Sequence, residues 1–135
     1  MTRKCRITVL RKTLHKDLQQ AYLADPNAGV CPFFQEGQVF DVSMDDFFRM
    51  MHGKFCAEAW DCISRYVYAA LQGGSIMQGW TKHENVMIAS CNDGTRPVIF
   101  KGGFHKFGKP VFPLRRQYPK QRREPQHRSD VEAFL

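Results

Sequence analysis

Polar and apolar residues alternate from Cys5 to Arg11, with Ile7 and Val9 on one side, and the β-branched content predicts a strand. Thr13 stands ahead of Leu14, Leu18, Ala21 and Tyr22, whose spacing predicts a short helix capped by Thr13. Asp25-Pro26-Asn27-Ala28-Gly29 then makes a turn. After Glu36-Gly37 the alternation returns in Gln38–Val42, a second strand. Ser43-Met44-Asp45-Asp46 has the form of a capping box and predicts a helix through Met51, stopped at His52-Gly53. The strongest pattern follows. Cys56, Ala59, Trp60, Ile63, Val67, Ala70 and Leu71 recur at steps of three and four, the stripe of a helix over Cys56–Leu71. Glu58 and Asp61 fall in its first turns, where the helix dipole favours acids, and Asp61 and Arg65 are spaced as an i,i+4 ion pair. Gly73-Gly74 ends the helix.

Ser75–Asn85 is irregular, with Trp80 expected as its anchor. Val86–Cys91 and Val98–Lys101 read as strands, and Asn92-Asp93-Gly94-Thr95 between them predicts a turn with positive φ. Pro97 cannot donate to a ladder, which places the second strand's start at an edge or a bulge, and Gly102-Gly103 is expected to bend or end it. Together the elements predict an α+β fold: a small antiparallel sheet packed against one main helix. From Phe104 the periodicity disappears, and Pro110, Pro113, Pro119 and Pro125 interrupt any helix. The expected division is a domain over residues 1–103 and an extended arm over 104–135.

Composition sharpens that division. The chain has 135 residues, 43% of them apolar and 11 of them Phe, enough for one packed core. The net charge is +7, but residues 1–100 carry 11 Lys/Arg against 10 Asp/Glu, whereas residues 101–135 carry 9 against 3. The body is nearly neutral and the arm is basic. No apolar run approaches the ~20 residues that cross a bilayer. The basic N-terminus leads into a strand rather than an apolar leader, so a cytoplasmic location with reduced thiols is expected.

The five cysteines are Cys5, Cys31, Cys56, Cys62 and Cys91, an odd number without a C-x-x-C. Cys31 precedes Pro32, which holds it extended, and Cys56 opens the long helix, where the dipole favours a thiolate. Cys31, Cys56 and Cys91 are therefore candidates for thiol chemistry or for holding a soft metal ion such as zinc. The plainer reading packs them as small hydrophobes. Cys31, Cys56, Asp61, Asp93 and Arg96 are the candidate catalytic residues. With Glu58, the carboxylates and guanidinium would suit a cofactor-independent, lyase-like or isomerase-like reaction on a small molecule. Their plainer roles are turn formation and dipole complementation. His52, His83 and His105 lack the i,i+4 partner of a helical metal site. Trp60 and Trp80 read as core anchors. In the arm, Arg and Lys mix with Phe and Tyr118, a composition for an anionic partner: single-stranded nucleic acid, an anionic membrane or an acidic protein. There is no glycine-rich phosphate loop, nucleophile elbow or H-E-x-x-H, which disfavours nucleotide hydrolysis, serine hydrolysis and zincin chemistry. Three readings stay open: a metal or thiol domain, a small-molecule enzyme, and a non-catalytic interaction module.

Four blocks, Cys5–Val9, Cys31–Phe40, Phe55–Trp60 and Ile88–Lys101, taken together resemble a family of short, mostly prokaryotic, cysteine-containing proteins of uncharacterised activity. The resemblance covers Cys5 to Lys101. Its cysteines match Cys5, Cys31, Cys56 and Cys91, while Cys62 and the basic arm depart from it. It implies a small α+β domain and no particular reaction.

Overall fold

The computed structural model describes residues 3–106. The first alternating run becomes strand β1, Arg3–Lys12, and its inward residues Cys5, Ile7 and Val9 are buried. Strand β2 is Val39–Val42, β3 is Val86–Ser90 and β4 is Val98–Lys106. They form one antiparallel sheet in the order β2-β1-β4-β3, so β1 and β4 are central and β2 and β3 are edges. The expected α+β class, with its small antiparallel sheet against one main helix, is what the chain adopts.

The main helix, α3, spans Ala57–Leu71 and packs on β1, β3 and β4. Its expected stripe is buried at Ala59, Trp60, Ile63, Val67, Ala70 and Leu71. Cys56 stands just outside as the N-cap, in an extended conformation and without a side-chain cap bond. Beneath the helix, Phe34 sits at ring-centroid distances of 5.1 Å from both Phe55 and Phe100, and the cluster extends to Phe40 and Trp60. Edge and tilted contacts of this kind add about 0.5–1.5 kcal/mol per pair beyond burial.

Ser43 caps helix α2, Met44–Phe48, as the sequence predicts. Its hydroxyl accepts from the Asp46 N–H, and the Asp46 carboxylate accepts from the Ser43 N–H at 2.9 Å. The helix ends at Phe48 rather than Met51. Met50, Met51 and His52 take φ of 50°, 59° and 52°, the left-handed region uncommon for such residues. That reversal turns Met51 into the core and brings His52 Nε2 to 3.0 Å from the Asp46 carboxylate.

Other expectations are corrected. Helix α1 is Lys16–Tyr22 with His15 as its N-cap; the Thr13 hydroxyl donates instead to the Pro97 carbonyl. The apolar residues of α1 face outward, Tyr22 being 80% exposed, and the buried residue is Gln19. Its amide has somewhere to go: it donates to the Gly29 carbonyl and the Thr95 hydroxyl and accepts from the Gly29 N–H. That is the condition for burying such a group. Asp61 and Arg65 do not pair; Arg65 donates to the Tyr66 hydroxyl at 2.9 Å and lies over its ring. Trp80 is 76% exposed and anchors nothing. The 92–95 turn uses no positive φ, because the Asp93 side chain accepts from the Thr95 N–H and hydroxyl and holds it. Gly102-Gly103 neither bends nor ends β4. A Cβ at Gly102 would run into the Met87 side chain, and one at Gly103 would lie 2.8 Å from the Asn85 carbonyl oxygen, so glycine lets β3 and its approach lie close. Three residues past the expected boundary, Phe104 to Lys106, remain in the strand; the rest of the expected arm lies outside the described residues.

Replacing Ser43 by Ala removes the hydroxyl that accepts from the Asp46 N–H and donates to its carboxylate, while the backbone half of the capping box stays, and urea unfolding is expected to show a loss of about 1 kcal/mol. The Ser43 N–H, against the opposing effect of partial burial, holds the Asp46 carboxyl below its usual range, with the Ser43 hydroxyl and His52 adding to it. A depressed carboxylate stabilises above the unfolded pKa of ~3.9 and the contribution disappears as pH falls through the folded value. Ser43→Ala keeps the N–H and loses only the hydroxyl's share of that depression, so the part of the difference between wild type and variant that the hydroxyl–carboxylate bond supplies should shrink in that acidic window.

Candidate functional site

The candidate cysteines are carried by separate elements. Cys31 lies in the loop before β2, half-buried, with the Lys12 ammonium donating to its carbonyl at 3.1 Å. Cys56 caps α3 and Cys91 follows β3. At Cys91 the sulfur accepts from the Val98 N–H at 3.3 Å, closing the β3–β4 connection. Among the described residues, Cys31, Cys56 and Cys91 do not form a group of three ligand atoms within 4.8 Å of one another; Asp45, Asp46 and His52 do, at the exposed end of α2. Cys62, one turn after Glu58 on α3, lies close enough to Cys91 for the two thiols to act on each other electrostatically. The Asn92 amide donates to Glu58 and ties that helix face to the end of β3.

The electrostatics of two thiols are clear. Burial pushes Cys5 up to about 12, with the nearby Asp41 charge adding and a backbone hydrogen bond from Gly103 opposing. Burial also raises Cys62, helped by the charges of Asp61, Cys91 and Glu58 and opposed by Arg65. Neither is set up as a thiolate at neutral pH, which is the reactive form.

The carboxylate and guanidinium candidates separate. Asp93 and Arg96 pair, Nε to Oδ2 at 3.0 Å. Partial burial pushes the Asp93 carboxyl up, but the Thr95 N–H and hydroxyl and the Arg96 guanidinium outweigh it and hold the group below the usual range. Arg96 also reaches the Val30 carbonyl at 3.4 Å, so the pair clamps the loop that carries Cys31. Glu58 and Asp61 are exposed on α3, and Glu58 points to Asn92 rather than to Asp93 or Arg96. His52 and His83 are exposed; His105 lies opposite Lys4 in the β1–β4 ladder. Trp60 is in the core as expected.

One feature escaped the sequence reading. The pleat that buries Cys5, Ile7 and Val9 sends Lys4, Arg6 and Thr8 to the other face of the sheet. The register extends that face: Val39, Thr8, Lys101 and Ile88 form one row across the four strands, and Asp41, Arg6, Gly103 and Val86 the next. Beyond the irregularity between Val9 and Arg11, Arg11 stands beside Ile99 and Ser90. No helix of the described residues packs there, since α3 and α2 lie on the core side. Four bases, Lys4, Arg6, Arg11 and Lys101, thus share an open face with one acid, Asp41, which Arg6 grips at 2.9 and 3.1 Å. On the helical side, α2 with its C-cap and α3 carry Asp45, Asp46, Glu58 and Asp61 against Arg49, which pairs with Asp45 at 2.9 Å, and Arg65. The signal was present in the alternation of β1, where charged residues fill the intervening positions.

Compared with known proteins, the chain matches no family model, no curated protein and no solved structure. No helix of the described residues is long and apolar enough to cross a membrane.

In the native protein, iodoacetamide at neutral pH is expected to leave Cys5 unmodified and to reach Cys62 more slowly than it does after unfolding in urea, where all five thiols become equivalent. Because the folded Cys5 pKa lies above the unfolded value of ~8.5, its contribution to stability is complete below that pH and is lost as pH rises towards 12. Cys5→Ala should flatten that part of the stability profile. Native alkylation of Cys5 as fast as of half-buried Cys31 would overturn the assignment.

Proposed function

We propose that the domain is a non-catalytic interaction module that docks single-stranded nucleic acid on its open sheet face, with the basic C-terminal residues continuing the contact. The separation of charge between the two layers carries the reading. The open face holds four bases and one acid, whereas α2 with its C-cap and α3 carry four acids against Arg49 and Arg65, so an approaching polyanion is drawn to the sheet side. Continuity supports it. Strand β4 ends opposite Arg3, at the end of the sheet that carries Lys4, and the residues after Lys106 include Lys109, Arg115, Arg116, Lys120, Arg122, Arg123 and Arg128. Exposed Val39 and Ile88 stand on the two edge strands, at the ends of the row that holds Thr8 and Lys101, offering aliphatic surface for bases to lie against. A single strand fits an open, four-stranded surface better than a bilayer does, since the face has no protruding aromatic wedge to insert.

The alternatives have less support. Among the described residues Cys31, Cys56 and Cys91 do not bring three ligand atoms within 4.8 Å of one another, and the Asp93 carboxylate is occupied by three donors from its own turn. A hydrogen-bonded, depressed carboxylate is a poor general base near neutral pH.

Fluorescence anisotropy of a labelled oligothymidine with the full chain tests the proposal. Three or four phosphate contacts give a log–log salt slope of roughly −2 to −3. Arg11→Glu with Lys101→Glu should weaken binding by about tenfold or more, and Arg65→Glu on the helical layer should leave it unchanged. Binding that ignores salt, or that Arg65→Glu weakens as much as the sheet-face pair, would sink the proposal. So would binding to anionic vesicles or an acidic peptide in place of the oligonucleotide.

A further inference from the structure

The two edges of the sheet are not equivalent, and the difference points to a second copy of the chain. Hydrogen bonding along β3 can be assigned from its ends. The Cys91 N–H donates to the Val98 carbonyl at 3.1 Å, so Cys91 and, by the two-residue period, Ala89 and Met87 turn their backbone groups towards β4. Val86, Ile88 and Ser90 turn theirs outward. Val86 is already served: its N–H donates to the His83 carbonyl at 3.0 Å, and its carbonyl accepts from the Thr81 hydroxyl at 2.8 Å. Among the described residues nothing takes the N–H and C=O groups of Ile88 and Ser90.

Natural edges of this kind are blunted by charge, proline or a covering element. From Asn85 to Asn92 the eight residues contain no charge and no proline, Ile88 is 39% exposed, and among the described residues only Thr81 and His83 cover the edge, at Val86. The other edge differs. β2 is four residues long and carries Asp41, which would place a carboxylate near its own image in any two-fold pairing.

We infer that two copies of the chain pair through antiparallel β3 strands, joining their sheets into one of eight strands. The register with Ala89 on the two-fold axis sets Ile88 opposite Ser90 of the second copy, and Ser90 opposite Ile88. This pairing takes up all four open groups of each strand in four hydrogen bonds and leaves the Val86 contacts untouched. It also puts Ala89 against its own copy at a non-hydrogen-bonded position, where Cα atoms approach to about 4.5 Å and a small side chain is suited. Charge does not oppose it. The nearest like charges on the shared face, Lys101 and its copy, are three strand spacings apart, about 14 Å, which exceeds the ~8–10 Å screening length at physiological salt. A strand pair is small as interfaces go, so the association depends on concentration.

Two measurements on the nuclease-treated full chain test this without any bound polyanion. Sedimentation over a wide concentration range should show the mass rising from one chain towards two, and Ile88→Lys, which sets a cation on each side of the axis, should return it to one chain. Val39→Lys on the β2 edge should not. In the wild-type chain, amide exchange at Ile88 and Ser90 should slow as concentration rises while exchange at Val39 and Asp41 stays constant. This second readout decides the matter even if Ile88→Lys impairs folding. A single-chain mass at every concentration, or protection that develops at Val39 and Asp41 instead, would overturn the inference.

Discussion

Everything in this protein rests on the two-residue period of β1. The strand is central, so its inward residues Cys5, Ile7 and Val9 meet neighbours on both flanks and the underside of α3, and each is essentially removed from water. A slip by one residue would turn Lys4, Arg6 and Thr8 into that space. Burying two cations costs far more than any rearrangement of the hydrophobic side chains could recover. The same alternation that builds the core therefore creates the basic face. Core and candidate interface are two sides of one pleat.

At the far end of the sheet the constraint is polar. The loops around Gly29 and Thr95 meet there, and the Gly29 N–H and carbonyl would be short of partners without Gln19. Its buried amide bonds Gly29 twice and Thr95 once, while Asp93 and Arg96 reach from the turn to the Val30 carbonyl. Side chains that resemble a catalytic set in a list of residues are thus consumed in closing loops. The Asp93 carboxylate is held by three donors from its own turn, and burial keeps Cys5 and Cys62 protonated at neutral pH. The proposed recognition uses charge on the open face, and the proposed pairing uses backbone hydrogen bonds at the β3 edge.

How much of this could be read from residues alone follows from the range of the forces involved. Local, periodic patterns were legible: the α3 stripe, the alternation of β1 and β2, and the capping box at Ser43 each depend on neighbours a few residues away, and each forms as predicted. Positions governed by distant partners were not. Tyr22 and Trp80 look like anchors by size and are exposed, because no surface of the folded chain lies opposite them. Gln19 looks like a solvent residue and is buried, because Gly29 and Thr95 happen to meet its amide. The reversal at Met50–His52 has no glycine to announce it; burial of Met51 and the contact of His52 with Asp46 impose it. The sequence by itself determined the class of fold, the main helix and the unequal spread of charge along the chain. Only the tertiary structure decided which charges share a face, which thiols lose contact with water and which strand edge stays open. Those outcomes depend on strand order and register, which arise from contacts between residues far apart in the chain.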